Sequence, residues 1–424
     1  MSKTSRIPGF YKKPLEERLR IIQEFAGLTD EDVKTLLNSG SLPLELAERM
    51  IENVIGAFHL PFAVAPNFLI NGREYFVPMV IEEPSVVAAA SNAARLVYAG
   101  GGFKASTTDP VMIGQIQVAK LKNPQEAKEA VLREKEKILE MANEKDPVLV
   151  RLGGGAKDVE ARIIETRRGP MLIVHLLVDV RDAMGANAVN TMAEAVAPFI
   201  ERVTGGKVYL RIISNLAVKR LARVECVVPK EVLGGEDVVD AILYAYAFAE
   251  ADPFRAVTHN KGIMNGVIAV ALATGNDTRA LEAGAHAYAS LGGRYKPLSV
   301  WGANERGDLV GKLEMPLAVG IVGGATRSNP LSRIALKILG VKTARELAEV
   351  MVSVGLANNL AALKALATEG IQRGHMELHA RNVAIAAGAT GELIDKVVEI
   401  MVRERNIRID RAKEILEELK KKES

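Results

Sequence analysis

The order of predicted elements between residues 110 and 215 constrains the fold more than any other feature of the sequence. Alternating apolar residues predict strands there, and a 3.6-residue apolar period predicts helices. In chain order these are a strand at 111–121, a helix at 123–146, two strands within 159–180 joined by RRGP, a helix at 187–206 and a strand at 207–214. Strand–helix–strand–strand–helix–strand is the ferredoxin-like order. The sequence therefore predicts a small ferredoxin-like domain over residues 110–215.

The segments on either side predict one larger α+β domain, a mixture of helices and sheet, formed by residues 1–109 and 216–374. The NG pair at 71–72 predicts a hairpin between two apolar strands. Pro84 is expected at the first position of the small-residue helix that follows. The predicted helices are 14–27, 42–56, 82–102, 236–253 and 345–370, and the strands lie within 62–81 and 220–229.

Residues 375–424 are predicted to form a separate carboxyl-terminal unit, which is highly charged and helical in period from residue 390. Two interpretations of this segment stay open. It is either a mobile helical flap attached to an apolar body or a solvated terminal helix, and composition alone slightly favours the second.

Composition excludes several classes of function. The net charge of +3 over 424 residues argues against nucleic acid as a partner. The single cysteine, Cys226, excludes a disulfide framework and multi-cysteine metal sites, and its alternating strand predicts a buried, inert thiol. The first residues carry no apolar stretch of signal-peptide length, and the other apolar runs are too short to span a bilayer. We therefore expect a cytoplasmic protein with no membrane partner.

Three charged residues stand out in otherwise apolar or small-residue surroundings. Lys261, in THNKG, either stabilises negative charge formed on a substrate or extends from a helix to pair with a carboxylate. Glu83 is either a helix cap before Pro84 or a proton donor. Asp277 also has the position of a cap, ahead of the helix predicted at 278–291.

A pair of histidines four residues apart, His375 and His379, suggests a zinc site on one helix face. The metalloprotease pattern requires Glu directly after the first histidine, and Met376 stands there instead. No third ligand is evident, so no metal is predicted. An acid with a pKa near neutrality is the better role for His375, and His379 is expected to support the structure.

Four stretches together carry a resemblance that none carries alone. They are EEPSVVAAAS (82–91), DAMGANAVN (182–190), FRAVTHNKGIMNG with ATGND (254–277) and GHMELHARN (374–382). In this order, with ENVIG at 52–56, the chain resembles the hydroxymethylglutaryl-CoA reductase family, and specifically its soluble class II branch. The resemblance covers nearly the whole sequence.

The resemblance implies a site. Its catalytic residues would be Glu83, Lys261, Asp277 and His375, with Asp277 bridging Lys261 and Glu83. Ser85, Arg255 and Asn265 would hold the hydroxymethylglutaryl part of the substrate. The nucleotide would contact Asp182, Met184, Gly185, Ala186 and Asn187, and also Gly323 and Gly324, with a weaker expectation for the glycines at 153–155.

The cofactor implied is NADH or NADPH. Asp146 matches an acid that contacts the adenosine ribose in NADH-using members, which favours NADH; a simple helix-end aspartate is the alternative. The opening SRIPGFYKKP resembles the family's start, but Tyr11 replaces a basic residue expected to touch coenzyme A phosphates, and Lys12 or Lys13 would have to substitute.

The implied reaction is the four-electron reduction of 3-hydroxy-3-methylglutaryl-CoA to mevalonate and CoA with two NAD(P)H, or the reverse oxidation. The implied site lies between two subunits, so a homodimer is the minimum and a hexamer of dimers is compatible. Two alternatives stay open. One is a CoA-thioester reductase that stops at the aldehyde, and the other is a non-catalytic CoA- or nucleotide-binding protein.

Overall fold

The strands predicted between residues 110 and 215 form one antiparallel sheet. The computed structural model describes residues 4–38, 42–368 and 371–423, and their side chains except those of 371–378 and 421–423. The strand order in this sheet, with the strands numbered along the chain, is β7-β4-β6-β5. Four helices contribute buried side chains to a separate apolar core on one face of this sheet. This confirms the ferredoxin-like prediction. The elements are β4 (Val111–Ala119), α5 (Pro124–Arg133), α6 (Lys135–Asn143), α7 (Pro147–Arg151), β5 (Gly155–Ile164), β6 (Met171–Asp179), α8 (Ala186–Thr204) and β7 (Lys207–Ile213).

The helix predicted at 123–146 is broken into α5 and α6 at Glu134. No proline or glycine marks the break, so the sequence contains no signal for it. Val131 before the break and Ile138 after it are both fully buried in the small-domain core. The two halves therefore still present one apolar face to the sheet.

The larger domain is built on a second sheet with the order β2-β1-β3-β8-β10-β9. Asn71 and Gly72 have φ of 50° and 78°, the positive values that a tight hairpin turn requires. Strands β3 and β8 are antiparallel neighbours, and the whole small domain lies between them in the sequence. The strands are β1 (Phe62–Ile70), β2 (Arg73–Val80), β3 (Phe103–Thr107), β8 (Leu221–Val228), β9 (Ser299–Ala303) and β10 (Leu309–Pro316).

Two long helices, α11 (Pro253–Ala273) and α15 (Ala344–Ala367), form the centre of the large domain. They pack closely because Gly266 leaves no side chain: a Cβ there would lie 2.4 Å from Asn358 Oδ1. Helix α15 is long and apolar enough to cross a membrane, yet 67% of its most apolar window is buried inside the protein. It is therefore the core helix of the large domain.

The small-residue helix α4 (Val86–Ala99) begins two residues later than predicted. Ser85, not Pro84, is its N-cap residue, with φ of 78° and ψ of −21°. Pro84 thus lies in the turn before the helix, and the expectation that it occupies the first helical position is wrong. The left-handed Ser85 redirects the chain between Glu83 and the helix.

The remaining helices flank the large domain or form the carboxyl-terminal unit. The segment predicted as a helix at 42–56 is helical only to Met50. The flanking helices are α1 (Leu15–Ala26), α2 (Asp30–Leu37), α3 (Leu44–Met50), α9 (Lys230–Leu233), α10 (Glu236–Ala251), α12 (Thr278–Ala289), α13 (Gly324–Ser328) and α14 (Pro330–Leu339). Helices α16 (Ile371–Ala386), α17 (Glu392–Glu404) and α18 (Ile409–Glu423) share a small core of their own.

Candidate active site

Lys261 and Glu83 meet although they are distant in the sequence. Lys261 lies midway along α11, and Glu83 lies in the turn between β2 and α4. The Nζ of Lys261 donates a hydrogen bond of 2.8 Å to Glu83 Oε2. Their side chains are 57% and 38% exposed in the single chain. The pair is thus formed on an open surface and not in a closed pocket.

The residues just before Lys261 fix its helix to the protein interior. Asn260 donates to the hydroxyl of Tyr295 and to the carbonyl of Lys296, and its own carbonyl accepts the N–H of Leu298. His259 shares a hydrogen bond of 2.6 Å with Ser299 Oγ. Burial lowers the pKa of His259 to about 3, so its ring is neutral at physiological pH. These contacts set the rotation of α11 and so the direction of the next side chain.

The expected substrate residues are only partly brought together. Ser85 lies two residues after Glu83, in the left-handed conformation described above. Asn265 is one helical turn after Lys261 and shares its face. Arg255 is six residues before Lys261, which places it about 120° around the helix at 3.6 residues per turn. In one chain, Arg255 is therefore not on the face that carries Lys261.

Asp277 does not bridge Lys261 and Glu83 within one chain. From Lys261 to the end of α11 at Ala273 the helix rises about 18 Å at 1.5 Å per residue, and Asp277 comes after that end. Asp277 caps α12 and accepts hydrogen bonds from Arg279. Burial raises its pKa, but the bonds from Arg279 and Ala280 outweigh burial, and the pKa is lowered. The expected bridge is wrong for a single subunit.

A cavity of about 640 Å³ opens beside Asp277 at the start of α8. It is lined by seven of the eight residues proposed for the nucleotide: Asp146, Met184, Gly185, Ala186, Asn187, Gly323 and Gly324. Asp182 is the exception, because its carboxylate accepts the N–H of Ala344 instead. The glycines at 153–155 are not among the lining residues.

The cavity fits a dinucleotide by two features of its walls. Gly185 has φ of 105°, and a Cβ there would lie 2.6 Å from Val180, so only glycine allows this backbone path. The 19-residue helix α8 begins at the next residue with no acid in its first turn, and such an N-terminus suits a pyrophosphate. Asp146 lines the same cavity while its Oδ1 caps α7.

A second cavity of about 1300 Å³ is lined by Glu83 and Ser85 together with residues of the amino-terminal segment, β1 and α4. Tyr11 lines it, and Lys12 and Lys13 are not among its lining residues. Three arginines contribute instead: Arg6, Arg18 and Arg95. The cavity combines an apolar wall with guanidinium groups, which suits a long acyl carrier that ends in phosphates.

His375 lies on α16, but its side chain is outside the described part of the chain. His379 is described and is exposed. Cys226 is buried on β8, and burial raises the pKa of its thiol to about 12, which agrees with the prediction of an inert cysteine.

A family model described as hydroxymethylglutaryl-coenzyme A reductase matches residues 14–380. The chain belongs to this family. The 3-hydroxy-3-methylglutaryl-coenzyme A reductase of Archaeoglobus fulgidus is 66% identical over 417 residues, which cover 98% of this chain and 95% of that protein. The probable reductase of Borreliella burgdorferi is 37% identical over 88% of this chain and 86% of its own length.

The structural comparison identifies the same family. A class II reductase from Streptococcus pneumoniae, described as bound to NADPH in open conformations, superposes with a TM-score of 0.82 at 42% identity, over 96% of this chain and 100% of that one. As a member of the hydroxymethylglutaryl-CoA reductase family, the chain is an NAD(P)H-dependent oxidoreductase that reduces hydroxymethylglutaryl-CoA to mevalonate.

Several residues around the 640 Å³ cavity were not predicted. Asn276 and Thr326 line it and join its loops, because Asn276 accepts the N–H of Gly320 and Thr326 donates to the carbonyl of Thr274. Arg220 lies outside the cavity and joins the loop before α8 to the segment at Val319, because it donates to the carbonyls of Ala183 and Val319. The glycine-rich run at 320–326 pointed to this region, but no local pattern marked Asn276 or Arg220.

Proposed function

We propose that the reductase active site is assembled from two subunits. One subunit supplies Lys261 and Glu83, and the other supplies Asp277 with its nucleotide cavity. The observation that carries this proposal is the length of α11, which separates Lys261 from Asp277 within one chain. The exposure of the Lys261 and Glu83 side chains supports it, since a charge-stabilising cation works best away from water.

Exposed large apolar residues support a second subunit. Ile55 and Phe58, in and beside ENVIG, are 102% and 91% exposed, and Phe254 at the start of α11 is 85% exposed. Large apolar side chains that a single chain leaves in water are candidates for burial against a partner. A homodimer is therefore the proposed minimum unit, and larger assemblies built from dimers are compatible with it.

Lys261 is proposed to stabilise the oxygen that gains negative charge in each reduction. NAD(P)H supplies the hydride to the acyl carbon. The charge that forms on the carbonyl oxygen is offset by the Lys261 ammonium, an interaction worth ~3 kcal/mol for one well-placed donor in such sites. Glu83, hydrogen-bonded to Lys261, would pass a proton to that oxygen. Asp277 of the other subunit would complete the network and adjust both protonation states.

His375 is proposed to protonate the CoA thiolate when the hemithioacetal breaks down to mevaldehyde. A histidine is suited to this because its charge changes near neutral pH. The carboxyl-terminal helices have a small core of their own, which would let residues 375–424 move as one flap. Such movement would allow the nucleotide to be exchanged between the two reductions.

The substrate is proposed to lie along the 1300 Å³ cavity with its acyl end at Ser85 and Glu83. Ser85, Arg255 and Asn265 are assigned to the hydroxymethylglutaryl part, and Arg255 could come from the second subunit.

The nucleotide is assigned to the cavity at Gly185. Asp146 lines that cavity, and a carboxylate there would disfavour the additional phosphate of NADPH. Initial rates with NADH and NADPH in both directions measure cofactor choice and direction. A cytoplasmic location is proposed.

Mixing two inactive variants tests the two-subunit site. Lys261→Ala and Asp277→Asn should each abolish turnover. In a dimer that contains one of each, one site keeps both native residues. Random exchange of subunits should then restore about a quarter of native activity. If the two residues served the same site from one chain, no mixture would regain activity.

The main alternative is a reductase that stops at the aldehyde. The ratio of NAD(P)H oxidised to CoA released distinguishes the two, because mevalonate formation requires two hydrides for each CoA. A ratio near two with mevalonate as product supports the proposal. A ratio near one with accumulated mevaldehyde would refute it.

A further inference from the structure

Arg220 is a buried guanidinium that holds backbone groups and not a carboxylate. It lies between β7 and β8 and is 5% exposed. Its Nη1 donates to the carbonyls of Ala183 and Met184, at 3.1 Å each, and its Nη2 donates to the carbonyl of Val319. Burial lowers its pKa to about 10 against the opposing effect of Asp179 and Asp182, so the group stays charged at neutral pH.

The two acids near Arg220 are engaged elsewhere. Asp179 pairs with Arg181, and Asp182 accepts the N–H of Ala344. Transferring a charged guanidinium from water into the protein interior costs free energy, and three neutral carbonyl acceptors offset that cost only in part. Arg220 must therefore contribute something that an apolar residue of similar size would not.

The carbonyl groups that Arg220 binds belong to two walls of the nucleotide cavity. Ala183 and Met184 line the cavity from the loop before α8, in the small domain. Val319 directly precedes Gly320, which lines it from the large domain. The walls touch closely, because a Cβ on Gly320 would lie 2.6 Å from Met184 N. Arg220 is not itself a lining residue, so it cannot contact the cofactor.

We propose that Arg220 is a positioning residue for the dinucleotide, because it joins the loop before α8 to the wall at Val319 from behind. A trans peptide points its C=O and N–H in opposite directions. With the Met184 carbonyl held by Arg220, the N–H of Gly185 is directed away from the guanidinium, and the start of α8 is fixed. This proposal rests on the assignment of the cavity to the nucleotide.

Arg220→Lys tests the role, because it keeps the charge but replaces a planar fork by a single-point donor. We expect the Kd and KM for NADH or NADPH to rise by about tenfold or more, with the KM for hydroxymethylglutaryl-CoA changed less than twofold. Arg223→Lys is the matched control, since Arg223 lies three residues later on β8, is half-exposed and pairs with Glu314. It should leave both constants unchanged.

A merely structural role for Arg220 would lower the melting temperature and affect both substrates equally. Equal effects on both KM values, or no effect on nucleotide binding, would therefore overturn the proposal. Arg220→Met removes the charge as well as the fork of donors. The folded fraction of this variant should bind the nucleotide more weakly than Arg220→Lys does.

Gly185→Val separates this proposal from the assignment of the cavity. Its side chain would obstruct the backbone path beside Val180, so nucleotide binding should be lost. If Gly185→Val weakens binding and Arg220→Lys does not, Arg220 has no positioning role. If neither does, the cavity is not the nucleotide site, and both proposals are refuted.

Discussion

The Nζ of Lys261 lies 2.8 Å from Glu83 Oε2, although the two residues are 178 positions apart in the sequence. The contact joins the central helix α11 to the turn before α4. Both side chains are partly exposed in one chain, so their attraction contributes little to the stability of the monomer. The pair is therefore better explained by chemistry than by folding.

Lys261→Ala should abolish turnover without unfolding the protein. Loss of the cation removes at least ~3 kcal/mol of stabilisation of the developing charge, a rate loss of more than about a hundredfold. Activity assays and circular dichroism check this together. Lys312→Ala is the matched control, because Lys312 is 63% exposed on β10 and pairs loosely with Glu225. Near-native turnover in Lys261→Ala would remove the central assignment.

Ser85→Gly should be more stable than Ser85→Ala. Both variants lose the hydroxyl, but only glycine adopts the left-handed backbone without strain. The difference should be about 1 kcal/mol, measured by denaturant unfolding. Both variants should raise the KM for hydroxymethylglutaryl-CoA if Ser85 binds the acyl part. Equal stability of the two variants would show that the left-handed conformation at this residue carries no cost.

His375→Gln should slow reduction of the thioester more than reduction of free mevaldehyde. Only the thioester releases a CoA thiolate that needs a proton, so the aldehyde step bypasses the acid. Steady-state rates on each substrate measure the two effects. His379→Gln is the neighbouring control and should change both rates little. Equal losses on both substrates in His375→Gln would contradict the role as the acid for the thiolate.

The free energy of unfolding should fall as the pH is lowered from about 7 towards 4.5. In that range His259 gains a proton in the unfolded chain but stays neutral in the folded one. Burial lowers the pKa of folded His259 from 6.5 to about 3, so between these values the unfolded state binds the additional proton. From pH 7 to pH 4.5 this removes about 2.5 kcal/mol. Melting temperatures across this range should fall less steeply in His259→Gln than in the native chain.

The ferredoxin-like order and the hairpin at Asn71–Gly72 could be predicted because each depends on local period or turn chemistry. The helix break at Glu134 and the left-handed Ser85 could not, because tertiary packing and not local sequence sets them. The loops at 182–187 and 320–326 were predicted to be ligand regions by the family resemblance, not by their glycines alone. Arg220 was missed because its role depends on carbonyl groups brought together only by the fold.

The bridge expected from Asp277 illustrates a different limit. Residue types and motif order indicated which side chains belong to one site, but they do not say which chain supplies each. The length of α11 is the information that excludes a contact within one chain. A prediction from motifs alone therefore names candidate members of a site but not their arrangement.

The insertion of the small domain between two adjacent strands has a mechanical consequence. Thr107 at the end of β3 pairs with Ala222 near the start of β8, so the chain leaves and re-enters the large sheet at nearly the same point. The two crossings, 108–110 and 214–220, form a narrow neck. Arg220, at the end of the second crossing, also bonds the carbonyls of Ala183 and Met184 in the small domain and of Val319 in the large one, so the small domain is anchored beside the neck as well as by the two crossings themselves.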